Sequence, residues 1–242
     1  MPILSRLLVA AAIIVGASTT ADAGTLLEPS LHLKRSTTAG ETRVALTLDA
    51  CGGRADNRIL SALVDNNIPA TIFVTGLWLK RNKVAFAIMR AHPDLFEIED
   101  HGARHVPAVE TPVRVYGIRA AGSLEAVDAE VKDGAAAIEK AGGDAPRWFR
   151  GATAKYSTTS MKEIQGLGFR VAGYSINADG GSLLPAAATE KRVAAAKDGD
   201  VIIAHINQPS HSAGAGLVKG LLALKARGVT FVRLQDADET GS

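Results

Sequence analysis

The run Val44-Ala-Leu-Thr-Leu-Asp49 (residues 44–49) decides how the rest of the chain is read. Its apolar residues are nearly continuous instead of alternating with polar ones, the pattern of a strand covered on both faces, as in a parallel sheet. It stops at a carboxylate and is followed by Ala50-Cys51-Gly52-Gly53. Working outward, apolar strand-like runs keep alternating with helical patterns. Helix is expected over Asp56–Asn66, strand over Ala70–Val74, helix over Leu77–Ala91 and strand over Leu95–Ile98. An Ala-rich helix is expected over Ser123–Ala141 with Ser123 as N-cap, then strand at Arg147–Phe149, helix at Ser157–Leu167 and strand at Phe169–Tyr174. The pattern closes with helix at Pro185–Ala196, strand at Asp200–Ala204, helix at Ala213–Ala226 and strand at Val229–Leu234. Strands separated by helices imply parallel pairing through right-handed crossovers, so the fold class is α/β. An open doubly wound sheet and a closed or nearly closed barrel both satisfy the pattern.

The ends and the composition set the context. Arg6, the apolar run Leu7–Val15 and the small-x-small sequence Ala21-Asp22-Ala23 read as a secretory signal peptide over 1–23, with an uncleaved anchor as the alternative. The protein is therefore expected to be exported, periplasmic or secreted, with no integral membrane association once the signal is cut. Residues 24–42 read as an arm, 43–235 as a single domain and 236–242 as a tail. Of the 242 residues, 47% are hydrophobic, enough to bury a full core without staples. The net charge of +2 forms no Lys/Arg-rich face, so nucleic acid is not an expected partner. The single cysteine, Cys51, excludes an intramolecular disulfide and leaves a packed residue or a chemical role. Oligomeric state is not legible.

In parallel α/β proteins functional groups collect at the carboxyl ends of strands. Asp49 ends the first strand, His101 and His105 follow the third, and Arg150 ends the fourth. Asp179 follows the fifth, and His205 ends the sixth. The loop 101–122 is the longest irregular stretch, and long loops in compact domains are usually functional. His101 and His105, four apart, would face one way on a helical turn, and neutral imidazole is a common zinc ligand. A carboxylate ending a buried strand needs a cation or donors, which Arg150 could supply, and His205 could serve as a general acid. His32, His92 and His211 look incidental. Trp78, Trp148 and Tyr156 are either core aromatics or sugar-stacking surfaces.

Five stretches in order carry a family resemblance: LTLDA (46–50), DHGARH (100–105), FRGATA (149–154), INADGG (176–181) and IIAHIN (202–207). Over roughly Val44 to Leu234 the chain resembles the polysaccharide deacetylase family of NodB-type carbohydrate esterases. The resemblance implies a deformed (β/α)7 barrel. It also implies a divalent metal, usually zinc, on His101, His105 and an Asp, and an N-acetylated glycan as substrate. It makes Asp49 the base, Arg150 its orienting partner, His205 the acid and Asp179 a supporting acid. Two positions depart from the pattern. The family's second aspartate, its carboxylate ligand, is Ala50, and Arg150 is followed by Gly151-Ala152 where R-x-P is usual. The missing ligand could be replaced by Asp49, by the thiolate of Cys51, or by Asp100 or Asp56, or the metal could be lost; Asp49 at the metal is the expected arrangement. The rival functions are an impaired member that only binds glycan and a hydrolase of another small amide.

Overall fold

The computed structural model describes residues 25–240, so the expected signal peptide lies outside the described residues. Arg43–Ala50 (β1) is the central strand, and every residue from Val44 to Ala50 is buried. Pleating sends Leu46, Leu48 and Ala50 to a large apolar cluster beneath the helices. Ala45, Thr47 and Asp49 point the other way, into the barrel. The other strands of its sheet are Ala70–Val74 (β2), Phe96–Asp100 (β3), Trp148–Phe149 (β4), Arg170–Val171 (β5), Ile176–Asn177 (β6), Val201–His205 (β7) and Thr230–Val232 (β8). Seven of them follow one another round a curled parallel sheet in the order β5-β4-β3-β2-β1-β7-β6. The eighth, β8, pairs with Arg43–Ala45 of β1, below the segment Thr47–Ala50 that pairs with β2. The fold is the deformed (β/α)7 barrel, with the helices Asn57–Asp65 (α1), Gly76–Arg81 (α2), Lys83–Ala91 (α3), Leu124–Lys140 (α4), Thr158–Gly166 (α5), Ala186–Ala194 (α6) and Ala213–Ala226 (α7) on its outside. No helix among the described residues is long and apolar enough to cross a membrane.

Two differences from the sequence expectation bear on the site. Of the strand expected over Phe169–Tyr174 only β5 forms, on β4, and a second two-residue strand beyond it, β6, pairs with β7 at the opposite edge of the sheet. The residues between them carry the chain across the gap, which is why the barrel is deformed. The helix expected over Leu77–Ala91 is broken at Asn82, which sits at φ −121°. The Asn82 side chain accepts from the Ala55 amide at 2.9 Å and donates to Gly53 O at 3.0 Å. The break thus ties the loop after β1 to the helix layer. The apolar period runs straight through Asn82, so it shows no break.

The floor of the barrel is filled by Leu31, Leu33, Phe73, Trp148, Val201 and Leu234. Leu31 and Leu33 come from the arm, and His32–Leu33 pairs antiparallel with Glu239–Thr240 of the tail. Trp78, Trp148 and Tyr156 are all buried, so they are core aromatics.

Glu97 and Glu99 of β3 also face inward and are buried. β3 and β4 are paired only at Asp100↔Phe149, and Glu99 replaces the missing ladder by accepting from the amides of Arg147 (2.8 Å) and Trp148 (2.7 Å). Burial, reinforced by the neighbouring Glu97, raises the Glu99 carboxyl from 4.5 to about 9. Folded protein therefore holds a proton that the unfolded chain releases above its ordinary carboxylate value. Stability from this residue falls as pH rises from about 4.5 to about 9. Glu99→Gln keeps an acceptor for the two amides and removes the titration. It should raise the melting temperature at pH 8 by about 2–4 °C per kcal/mol recovered and leave it unchanged near pH 4. Parallel melting curves of wild type and variant against pH check this.

Candidate active site

The strand ends converge on the mouth of the barrel. Asp49 is the penultimate residue of β1 and is in register with His205 on the adjacent β7. His101 follows directly on β3, Arg150 on β4 and Asp179 shortly after β6. All five are buried or nearly so, Arg150 completely.

Arg150 is the structural hub. Nη1 donates to Asp49 Oδ1 at 3.0 Å and to Thr47 Oγ1 at 2.9 Å. Nη2 donates to Gly173 O at 2.9 Å and Nε to Ala172 O at 3.3 Å, both in the crossing between β5 and β6. Its guanidinium lies 4.3 Å from the centre of the Phe73 ring. One side chain thus spans the barrel gap and holds the carboxylate. Burial alone would raise the Asp49 carboxyl; His101, Arg150 and His205 together outweigh it and keep it below its ordinary value.

His101 presents Nδ1 to the carbonyl of Arg150 at 2.5 Å, which turns Nε2 to within 3.5 Å of Cys51 Sγ and 3.9 Å of Asp49 Oδ2. Burial opposes the charged ring, but Asp49 and Cys51 raise its pKa to about 9. The expected helical turn joining His101 to His105 is absent. Residues 101–105 form an irregular loop in which Gly102 (φ +84°) and His105 (φ +62°) are left-handed. That path brings the two rings to 5.0 Å between centroids. His205 is held on the far side of the mouth: its amide donates to Asp179 Oδ2 at 2.7 Å and its Nδ1 lies 3.0 Å from Asp179 Oδ1. Burial would lower its pKa; Asp179 and Cys51 raise it well above the ordinary histidine value.

Cys51 completes the cluster. Its Sγ and one nitrogen each of His101 and His105 all lie within 4.8 Å of one another. Burial would raise its thiol, but the charge of His101 and contacts with His101, His105 and His205 bring it well below the ordinary thiol value. A sulfur and two imidazole nitrogens suit zinc, and a backbone carbonyl on the other nitrogen of His101 is the usual support for a ligating ring. This donor set fits a divalent metal. Asp49, expected at the metal from sequence, gives Oδ1 to Arg150, and its Oδ2 faces the cluster 3.9 Å from His101 Nε2. Ala50 packs in the helix-side core. Asp56 caps α1 and pairs with Arg58, and Asp100 accepts from the Gly102 amide, so neither joins the cluster.

Residues 36–172 match the family model for polysaccharide deacetylase. The chain belongs to the polysaccharide deacetylase family. No curated protein sequence matches it. Among solved structures, a family 4 carbohydrate esterase from Streptomyces lividans in complex with acetate is 22% identical. That match covers 78% of this chain and 91% of that one, with a TM-score of 0.63. The Bc1960 peptidoglycan N-acetylglucosamine deacetylase is 19% identical over 86% of this chain and 91% of that one, TM-score 0.68. A CE4 family pseudoenzyme from Bacillus anthracis is 20% identical over 82% and 66%, TM-score 0.62. In the polysaccharide deacetylase barrel described above, removing Arg150 unties the gap and strands a buried carboxylate. Arg150→Met should cost about 3–5 kcal/mol, whereas Asp49→Asn, which leaves the carbonyl contacts of Arg150 in place, should cost less. Urea unfolding of both variants measures the difference.

Proposed function

We propose that the protein is a metal-dependent hydrolase that removes N-acetyl groups from an amino-sugar glycan of the cell envelope. The observation that carries the reading is a pair of opposed dyads on adjacent strands. Arg150 holds Asp49 ionised and Asp179 holds His205 protonated, with the Cys51, His101 and His105 donors beside them. Cys51, His101 and His105 would hold the metal. A bound divalent ion acidifies water and polarises the acetyl carbonyl.

The chain's own groups divide the proton work. Asp49 Oδ1 is taken by Arg150, so Oδ2 accepts the proton of the attacking water. Asp179 occupies Nδ1 of His205, so Nε2 carries the proton delivered to the leaving amine. The products are acetate and a free amino sugar. Export of the protein, expected from its first residues, would put it with such a substrate.

A second reading, a family member that binds glycan without cutting it, draws on Ala50 and on the pseudoenzyme among the similar folds. The nearness of Cys51 to both imidazoles weakens that reading, because it restores a third donor.

Metal content of the purified protein, measured beside acetate release from peptidoglycan, chitin-like oligomers and simple amides, tests the proposal. Wild type should carry about one zinc per chain and release acetate from one of the glycans. Asp49→Asn should retain the metal and lose roughly 10²–10⁴-fold in rate, while Cys51→Ala should lose the metal. Absence of metal with rates equal to Asp49→Asn supports the binding reading. Equal turnover of simple amides supports a small-amide hydrolase.

A further inference from the structure

Nothing in the five motifs marks Glu130, yet the His101–His105 loop is built around it. Glu130 lies mid-way along α4, is 1% exposed, and stands among Val127, Val131, Gly134 and Ile138 on the buried helix face. Its Oε1 accepts from the amides of Arg104 (2.8 Å) and Val106 (3.0 Å), the residues on either side of His105. Its Oε2 accepts from Arg104 Nε at 3.2 Å, and its backbone carbonyl accepts from the Ala103 amide at 2.9 Å.

The surroundings are cut to this contact. A Cβ on Gly102 would lie 2.5 Å from Glu130 Oε1, and one on Gly134, a turn further along α4, would lie 2.2 Å from Asp100 Oδ1 and 2.8 Å from the Gly102 backbone. From the other side, the first amides of α2 take the carbonyls of Gly102 (3.0 Å) and Ala103 (3.1 Å). Hydrogen bonding of a buried carboxylate to neighbouring amides is an ordinary structural device. What sets this case apart is that the two amides bracket a non-glycine residue in the left-handed region, and that this residue offers one of the three metal-type donors. Without the carboxylate, the amides on both sides of His105 lose their acceptor, and its φ of +62° loses the contact that brackets it.

We propose that Glu130 is a positioning residue that holds His105 in its ligand-ready conformation. The inference rests on the reading that His101 and His105 hold a metal. Glu130 itself does not touch the metal or the substrate.

The test is zinc affinity by competition with a chromogenic chelator, and the visible spectrum of the cobalt-loaded protein, for wild type, Glu130→Gln, Glu130→Asp and Glu130→Leu, each checked by thermal melting. Glu130→Gln retains a carbonyl oxygen for both amides and should keep near-wild-type zinc affinity and cobalt spectrum. Glu130→Leu should bind zinc roughly 10–100-fold more weakly, the loss typical of outer-sphere partners, with an altered cobalt spectrum. If Glu130→Leu does not fold, Glu130→Asp carries the test: its shorter arm leaves the amides, and it should also weaken zinc binding while Gln does not. Wild-type affinity and spectrum in the folded Leu or Asp variant overturn this inference alone. Wild-type protein that binds neither zinc nor cobalt overturns the metal reading and this inference with it.

Discussion

A single guanidinium, that of Arg150, ties the barrel to its chemistry. The parallel sheet stops short of closing because the chain between β5 and β6 leaves one edge for the other. The buried carbonyls of that crossing, Ala172 and Gly173, would otherwise be orphaned in the interior. Arg150 satisfies both and gives its two Nη1 hydrogens to Thr47 and Asp49. Burying a full charge is costly unless it is paired and hydrogen-bonded; here four hydrogen bonds come from the gap on one side and from Thr47 and the base on the other. The need to seal the barrel and the need to keep a carboxylate ionised are met by the same group.

Much of this was legible in the residues, and the parts that were not have physical reasons. Continuous apolar runs such as Val44–Leu48 and Val201–Ala204 announce strands buried on both faces, and their terminal Asp49 and His205 announce the mouth. The two short strands at Arg170–Val171 and Ile176–Asn177 are held by edge pairing alone, so two residues apiece leave no period to read. Asn82 breaks a helix through its side-chain contacts with a loop nearly thirty positions earlier, which no local pattern records. The histidine spacing suggested a helical turn, but Gly102 permits a left-handed path that brings the rings together without one. Glu130 did leave a trace: it recurs with Val127, Val131 and Gly134 on the buried helix face, where an unpaired acid would not be tolerated.

Loss of the family's second aspartate looked from sequence like the loss of a ligand. Three dimensions change its meaning. Ala50 belongs to the apolar layer under the helices, while the following residue, Cys51, returns to the mouth between the imidazoles. Thr75 fixes that turn by donating its hydroxyl to the Cys51 carbonyl and capping α2 with the same oxygen. The loop that would have carried a carboxylate therefore carries a thiol, with its backbone pinned at both Cys51 and Gly53.

Trading oxygen for sulfur in that position alters which ions compete for the pocket. Hard cations, calcium and magnesium, prefer all-oxygen cages and gain little from a thiolate beside two nitrogens. Soft ions gain a great deal, and monovalent copper is among the best partners for such a group. On the proposal that Cys51, His101 and His105 hold the metal, the pocket would favour zinc and softer ions over calcium and magnesium.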